Sequence, residues 1–184
     1  MTSKEKSKGK NLISKTMLMP REEVLEVKKR GQKIKIGIPS DFSKVEYRVP
    51  LTPQAVDLLV SYGHEIFIET NAGKSASYPD NAYRDVGAVI VDDSAEIFQC
   101  DIILRISPFS SEEIDKLRGN QVIISSLQPH AHCRETIQKM MQKKVTAIAF
   151  EYLENEEGFM PFVHQMSQIA GVTSITIACG YLSK

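Results

Sequence analysis

Along the chain, short apolar runs alternate with stretches whose apolar positions recur at helical spacing. Residues 33–38 read as a strand stopped by Pro39, followed by a polar loop. Thr52-Pro53 then opens a helix over 54–62, with Val56, Leu59 and Val60 on one face and Gly63 at its end. Thr at an N-cap accepts a bond from the helix's free N–H groups, and Pro at the first helical position gives up no donor it needed. Gly is the residue expected at a helix stop. The same pattern predicts strands over 65–69, 89–91, 101–106, 121–125 and 145–152. It places helices at 81–86, 95–99 (capped by Ser94), 112–118 (begun by Ser110 or Ser111) and 133–143, the last with Ile137, Met140 and Met141 inward.

Strands separated by roughly 20 to 30 residues, with helices between most of them, mark a largely parallel sheet covered on both faces. Val122-Ile123-Ile124 and Ala147-Ile148-Ala149-Phe150 fit strands buried on both sides. The fold class is therefore α/β, a doubly wound Rossmann-like or flavodoxin-like domain over 33–184. Ahead of it, 1–32 reads as a basic tail with five lysines against Glu5, then an amphipathic helix over 21–30. That helix would strap onto the domain or a partner subunit.

The end of the chain changes the picture. Residues 158–183 hold no Asp, Glu, Lys or Arg, and 164–182 read as a long helix. Pro161, His164, Gln165, Ser167, Gln168, Ser174 and Gly180 interrupt its apolar content, which argues against membrane insertion. A helix apolar around most of its circumference should be buried, and nothing left in the chain is available to cover it. The expectation is a piece of a larger protein, cut within or just after a connecting helix. No G-x-G-x-x-G follows any strand, so an NAD-binding Rossmann domain is absent from these 184 residues.

Composition narrows the class further. The chain is 42% hydrophobic and 25% charged with no net formal charge, which argues against a nucleic-acid partner. Cys100, Cys133 and Cys179 are an odd, scattered set that suits a reducing cytoplasm. Asn71-Ala72-Gly73-Lys74-Ser75 lacks the upstream glycine of a phosphate loop and reads as a turn. His130-Ala131-His132-Cys133 has no second ligand pair at finger spacing, so no metal is assigned. Arg48 stands in the loop beyond the first strand's carboxyl end, where open α/β sheets take ligands. It has no acid at helical spacing and reads as an unpaired cation.

These residues are similar to the N-terminal domain of the alanine dehydrogenase and nicotinamide nucleotide transhydrogenase family. The likeness runs through Gly37-Ile38-Pro39, Glu46, Arg48-Val49, Thr52-Pro53 and Gly63-His64-Glu65. It continues through Glu69 to Gly73, Gly87-Ala88, Asp101 to Leu104, Val145 to Glu151 and Met166-Ser167-Gln168-Ile169-Ala170-Gly171. The resemblance implies a two-domain enzyme using NAD, with a small amino or keto acid bound between this domain and a C-terminal Rossmann domain. It also implies that Arg48 grips the substrate carboxylate and that Ser167 lies near the cofactor.

Two positions depart from the family pattern. Ser107, in Arg105-Ile106-Ser107, holds the place of a substrate-binding lysine, and Gln128 holds that of an acid/base histidine. Glutamine hydrogen-bonds but exchanges no proton near neutral pH. A shift of the loop carrying His130 and His132 would restore an imidazole. The resemblance is nearest to alanine dehydrogenase (L-alanine, NAD and water to pyruvate, ammonia and NADH), with the chain inactive without its C-terminal domain. The alternatives are a transhydrogenase subunit passing hydride between nicotinamides, which needs no histidine, and a catalytically degenerate nucleotide-binding or regulatory relative. Expected partners are the C-terminal domain and further copies of the chain, with no nucleic acid and no membrane.

Overall fold

The computed structural model describes residues 33–41, 46–128 and 134–183. Every element below lies in the unit Ile34–Lys184. The tail and helix expected over 1–32, and the histidines at 130 and 132, lie outside the described residues.

Six parallel strands form one sheet: β1 (Lys35–Ile38), β2 (Glu65–Glu69), β3 (Val89–Val91), β4 (Ile102–Leu104), β5 (Val122–Ser125) and β6 (Thr146–Ala149). Their order is β3-β2-β1-β4-β5-β6. The chain steps outward from β1 to one edge, then returns to β4 on its other side. That reversal is the switch point at which such sheets open a crevice beyond their strand ends. The helices are α1 (Pro53–Ser61), α2 (Asp80–Asp85), α3 (Ser94–Ile97), α4 (Ser111–Lys116), α5 (Arg134–Gln142) and α6 (Pro161–Leu182).

Local chemistry explains the boundaries. Thr52 Oγ1 accepts the Ala55 N–H at 3.4 Å, Pro53 is the first helical residue of α1, and Gly63 carries φ of 94° just beyond its end. Ser110 and Glu113 close a reciprocal capping box at α4. At α3 the cap is Asp93 rather than Ser94, because its carboxylate reaches the Ala95 N–H at 2.8 Å. Asn71 to Ser75 passes through a turn into a single 3-10 turn, Lys74–Ala76, which offers no helix N-terminus to a phosphate.

Two apolar clusters fill the interior, one around Ile103, Ile97, Ile114 and Ile123 and one around Val56, Ile66, Ile68 and Tyr83. Gly37 lies where α3 approaches β1: a Cβ there would stand 2.8 Å from the Ile97 carbonyl oxygen. Three further expectations need correction. Strand β6 is an edge with Thr146 and Ala147 exposed, and the chain leaves it at Phe150–Tyr152 in a 3-10 turn. On α5 the inward pair is Thr136 and Met140, at i and i+4, while Ile137 and Met141 face out. The terminal helix begins at Pro161, three residues before the expected start, and stands exposed at every position. Among the described residues no helix is long and apolar enough to cross a membrane.

Candidate functional site

At the carboxyl ends of the strands lies a cavity of about 610 Å³. Each strand near the switch point sends a segment into it. Glu46 and Arg48 come from the loop after β1; Ile106, Ser107 and Pro108 follow β4; Ser126 and Gln128 follow β5; Phe150 and Glu151 follow β6. The first turns of α6 form the remaining wall through Phe162, Val163, Met166, Ser167 and Ala170. These positions, at three- and four-residue spacing, share one helix face. The Phe150 and Phe162 rings pack with centroids 5.9 Å apart, seating that face at its start. Arg48, Ser107, Gln128 and Ser167 therefore converge on one space, although 119 positions separate the first from the last.

Arg48 is not the unpaired cation its sequence context indicates. Its Nε donates to Glu46 Oε1 at 2.7 Å and its Nη2 to Oε2 at 2.6 Å. Glu46 Oε1 also accepts the Arg48 backbone N–H at 2.9 Å, so the carboxylate folds onto the residue two positions on, a spacing no helix would use. The Arg48 side chain hydrogen-bonds Glu46 and holds its carboxyl below the usual range, and Glu46 in return raises Arg48. Arg48 Nη1 also touches Met166 Sδ at 3.6 Å, linking the loop to α6.

Ser107 donates its hydroxyl proton to Asp41. Asp41 in turn receives Arg105 Nη2 at 3.3 Å, and Arg105 Nη1 pairs with Glu113. Arg105 is only 8% exposed. The serine at the lysine's place thus brings no positive charge to the cavity. With its proton committed, its oxygen offers lone pairs.

Gln128 sits at φ of 39°, a left-handed conformation costly for a side chain of its kind. Glu151 holds it there. Glu151 Oε1 accepts the N–H groups of Leu127 at 2.8 Å and Gln128 at 3.1 Å, with the Ser126 hydroxyl at 3.4 Å. Its other oxygen, Oε2, is buried and without a partner among the described residues. Glu46 and Glu151 stand within the family likeness with no role assigned to them, and Asp41 stands outside it. Glu151 lay hidden in an apparent strand, and the i+2 spacing of Glu46 was the available signal for that residue.

The described residues do not fit the phosphate half of a dinucleotide. Beyond β1 the chain runs Pro39-Ser40-Asp41, and beyond β4 Arg105-Ile106-Ser107-Pro108, neither glycine-rich. Asp41, Glu69 and Glu113 surround Arg105 at this end of the sheet, and like charge repels a pyrophosphate. Among the described residues no group of three His, Cys, Asp or Glu could hold a metal.

Strand order and cavity together define a Rossmann-ordered α/β domain with its site at the strands' carboxyl ends. The chain belongs to the alanine dehydrogenase/PNT N-terminal domain family, whose model matches residues 37–170. It is 32% identical over 152 residues to an alanine dehydrogenase of Staphylococcus epidermidis, a stretch covering 82% of this chain and 40% of that protein. Alanine dehydrogenase 2 of Staphylococcus aureus is 30% identical over 151 residues, with the same coverage. Among solved structures, an L-alanine dehydrogenase superposes with a TM-score of 0.74 at 32% identity, covering 78% of this chain and 40% of that one. A transhydrogenase from Sinorhizobium meliloti gives 0.59 at 27% identity, covering 65% and 36%. The chain thus spans about 40% of the length of the curated relatives it matches.

Proposed function

We propose that this chain is the substrate-side domain of an NAD-dependent alanine dehydrogenase-like oxidoreductase, one that interconverts L-alanine and pyruvate with a separate nucleotide-binding domain. The observation that carries this reading is the meeting of Arg48, Ser107, Gln128 and Ser167 in one cavity at the switch point of the sheet. Arg48 takes the substrate carboxylate. Glu46 occupies two of its five N–H donors and fixes the guanidinium plane, leaving the Nη1–Nη2 edge for a second carboxylate. Gln128, anchored through Glu151, hydrogen-bonds the substrate oxygen or nitrogen without exchanging a proton. Ser167, on the α6 wall, faces the nicotinamide end of NAD held by the other domain. The wholly exposed apolar surface of α6 supports a covering partner, either that second domain or a further subunit.

Gln128 favours one second reading, a transhydrogenase domain, since hydride passage between nicotinamides needs no acid or base. The test uses the intact protein with NAD and L-alanine. NADH formation that Arg48→Ala abolishes supports the dehydrogenase. Hydride exchange between two nicotinamide nucleotides, with no alanine-dependent NADH, supports the transhydrogenase and overturns the first reading.

A further inference from the structure

Among the described residues, the charged side chains lining the cavity are Glu46, Arg48 and Glu151. Glu46 and Arg48 neutralise each other through two short bonds, so among the described residues the cavity's uncompensated charge is the carboxylate of Glu151. One oxygen of that carboxylate is saturated by the 126–128 segment, while Oε2 is buried with no donor among the described residues. A buried carboxylate oxygen left without a donor is costly, and because Glu151 lines the cavity, a small turn of its side chain would bring Oε2 to a ligand's donor. Ser107 points to the same preference. Its proton is committed to Asp41, so it meets a ligand as an acceptor.

From this geometry we infer that Glu151 is the amine-recognising residue of the cavity, taking the protonated amine of the ligand on Oε2 while Arg48 takes the carboxylate. The inference rests on the amino-acid reading above and assigns the amine end of that substrate to this domain. Two acceptors and a net negative charge among the described lining residues favour the ammonium form over a keto acid. It also gives Glu151 a second duty beyond shaping the 126–128 turn. Glu151→Gln separates the two duties, because its amide oxygen still accepts from Leu127 and Gln128 while the charge is lost.

The experiment titrates the intact protein with two single-headed probes, L-alaninamide (an amine without a carboxylate) and pyruvate (a carboxylate without an amine). Glu151→Gln should weaken L-alaninamide at least about tenfold, the loss expected for a hydrogen bond between charged groups, and leave pyruvate unchanged or tighter. Arg48→Lys should do the reverse. Should Glu151→Gln not fold, the carboxyl-carbon NMR signal of Glu151 in the unmodified protein should move with L-alaninamide and not with pyruvate. L-alaninamide binding that ignores Glu151, or a Glu151 signal that ignores L-alaninamide, overturns the inference even while Arg48-dependent pyruvate binding upholds the amino-acid reading. Pyruvate binding indifferent to Arg48 overturns that reading instead.

Discussion

Glu46 grips the guanidinium of Arg48 side-on, with Nε–Oε1 at 2.7 Å and Nη2–Oε2 at 2.6 Å, and so turns a surface-loop arginine into an oriented one. Half-exposed and outside both apolar clusters, Arg48 contributes little to the core. Arg48→Lys keeps the charge and loses the planar fork, which should weaken pyruvate binding by about 1 to 3 kcal/mol. Arg48→Ala should cost more, with the melting temperature nearly unchanged. Titration beside a thermal melt checks both. Unfolding in Arg48→Ala would make the residue structural.

A second arginine is expected to behave in the opposite way. Arg105 lies buried between Glu113 and Asp41, with its Nε unpartnered among the described residues. Removing one member of a buried ionic set leaves the others uncompensated, typically at about 3 to 5 kcal/mol. Arg105→Ala should therefore lower the urea midpoint sharply, and Asp41→Asn in the same chain should recover part of the loss. A midpoint like that of the unmodified protein would show that water replaces the guanidinium.

The sheet and its helices were legible because their signals are local: Thr52-Pro53 before α1, Gly63 after it, and apolar runs for β1 to β5. The misreadings arose where tertiary placement decides. β6 has the sequence of a central strand and the place of an edge one, and on α5 only packing chooses Thr136 over Ile137. At the cavity the likeness names residues and not their pairings. Family likeness pointed to Arg48, Ser107, Gln128 and Ser167. The pairings of Glu46, Asp41 and Glu151 are hidden from the sequence because the partners lie at i+2 or 23 to 66 positions away.

Gly37, which does not line the cavity, offers a stability test. A Cβ there would meet the Ile97 carbonyl oxygen at 2.8 Å, Ile97 Cγ2 at 3.0 Å and Cys100 Sγ at 3.1 Å. Overpacking of this kind costs about 1 to 3 kcal/mol. Gly37→Ala should lose that much by urea unfolding, and adding Cys100→Ala should recover little, since the nearest obstacle is backbone. Full recovery would show that the sulfur alone sets the limit.

Two acids should give stability opposite pH slopes. Asp101 accepts the Lys35 N–H at 3.0 Å and Arg118 Nη2 at 2.6 Å, and these bonds hold it below its ordinary 3.8. The unfolded chain then binds the proton more readily, so Asp101's contribution is present above the ordinary value and lost as pH falls through the folded one. Burial pushes Glu69 above its ordinary 4.5, against the pull of the Ser40 N–H at 2.8 Å. Here the folded chain keeps the proton longer. Stability is highest below the ordinary value and declines as pH rises through the folded one. Asp101→Asn should therefore melt lower than the unmodified protein near neutral pH, with the gap closing in acid. Glu69→Gln keeps an acceptor for Ser40 and removes the buried charge, so it should melt higher near neutral pH, again converging in acid. Melts of the three proteins from about pH 3 to 8 check both signs. A lower neutral melting point for Glu69→Gln would mean that its attraction to Lys116 and Arg105 outweighs its burial.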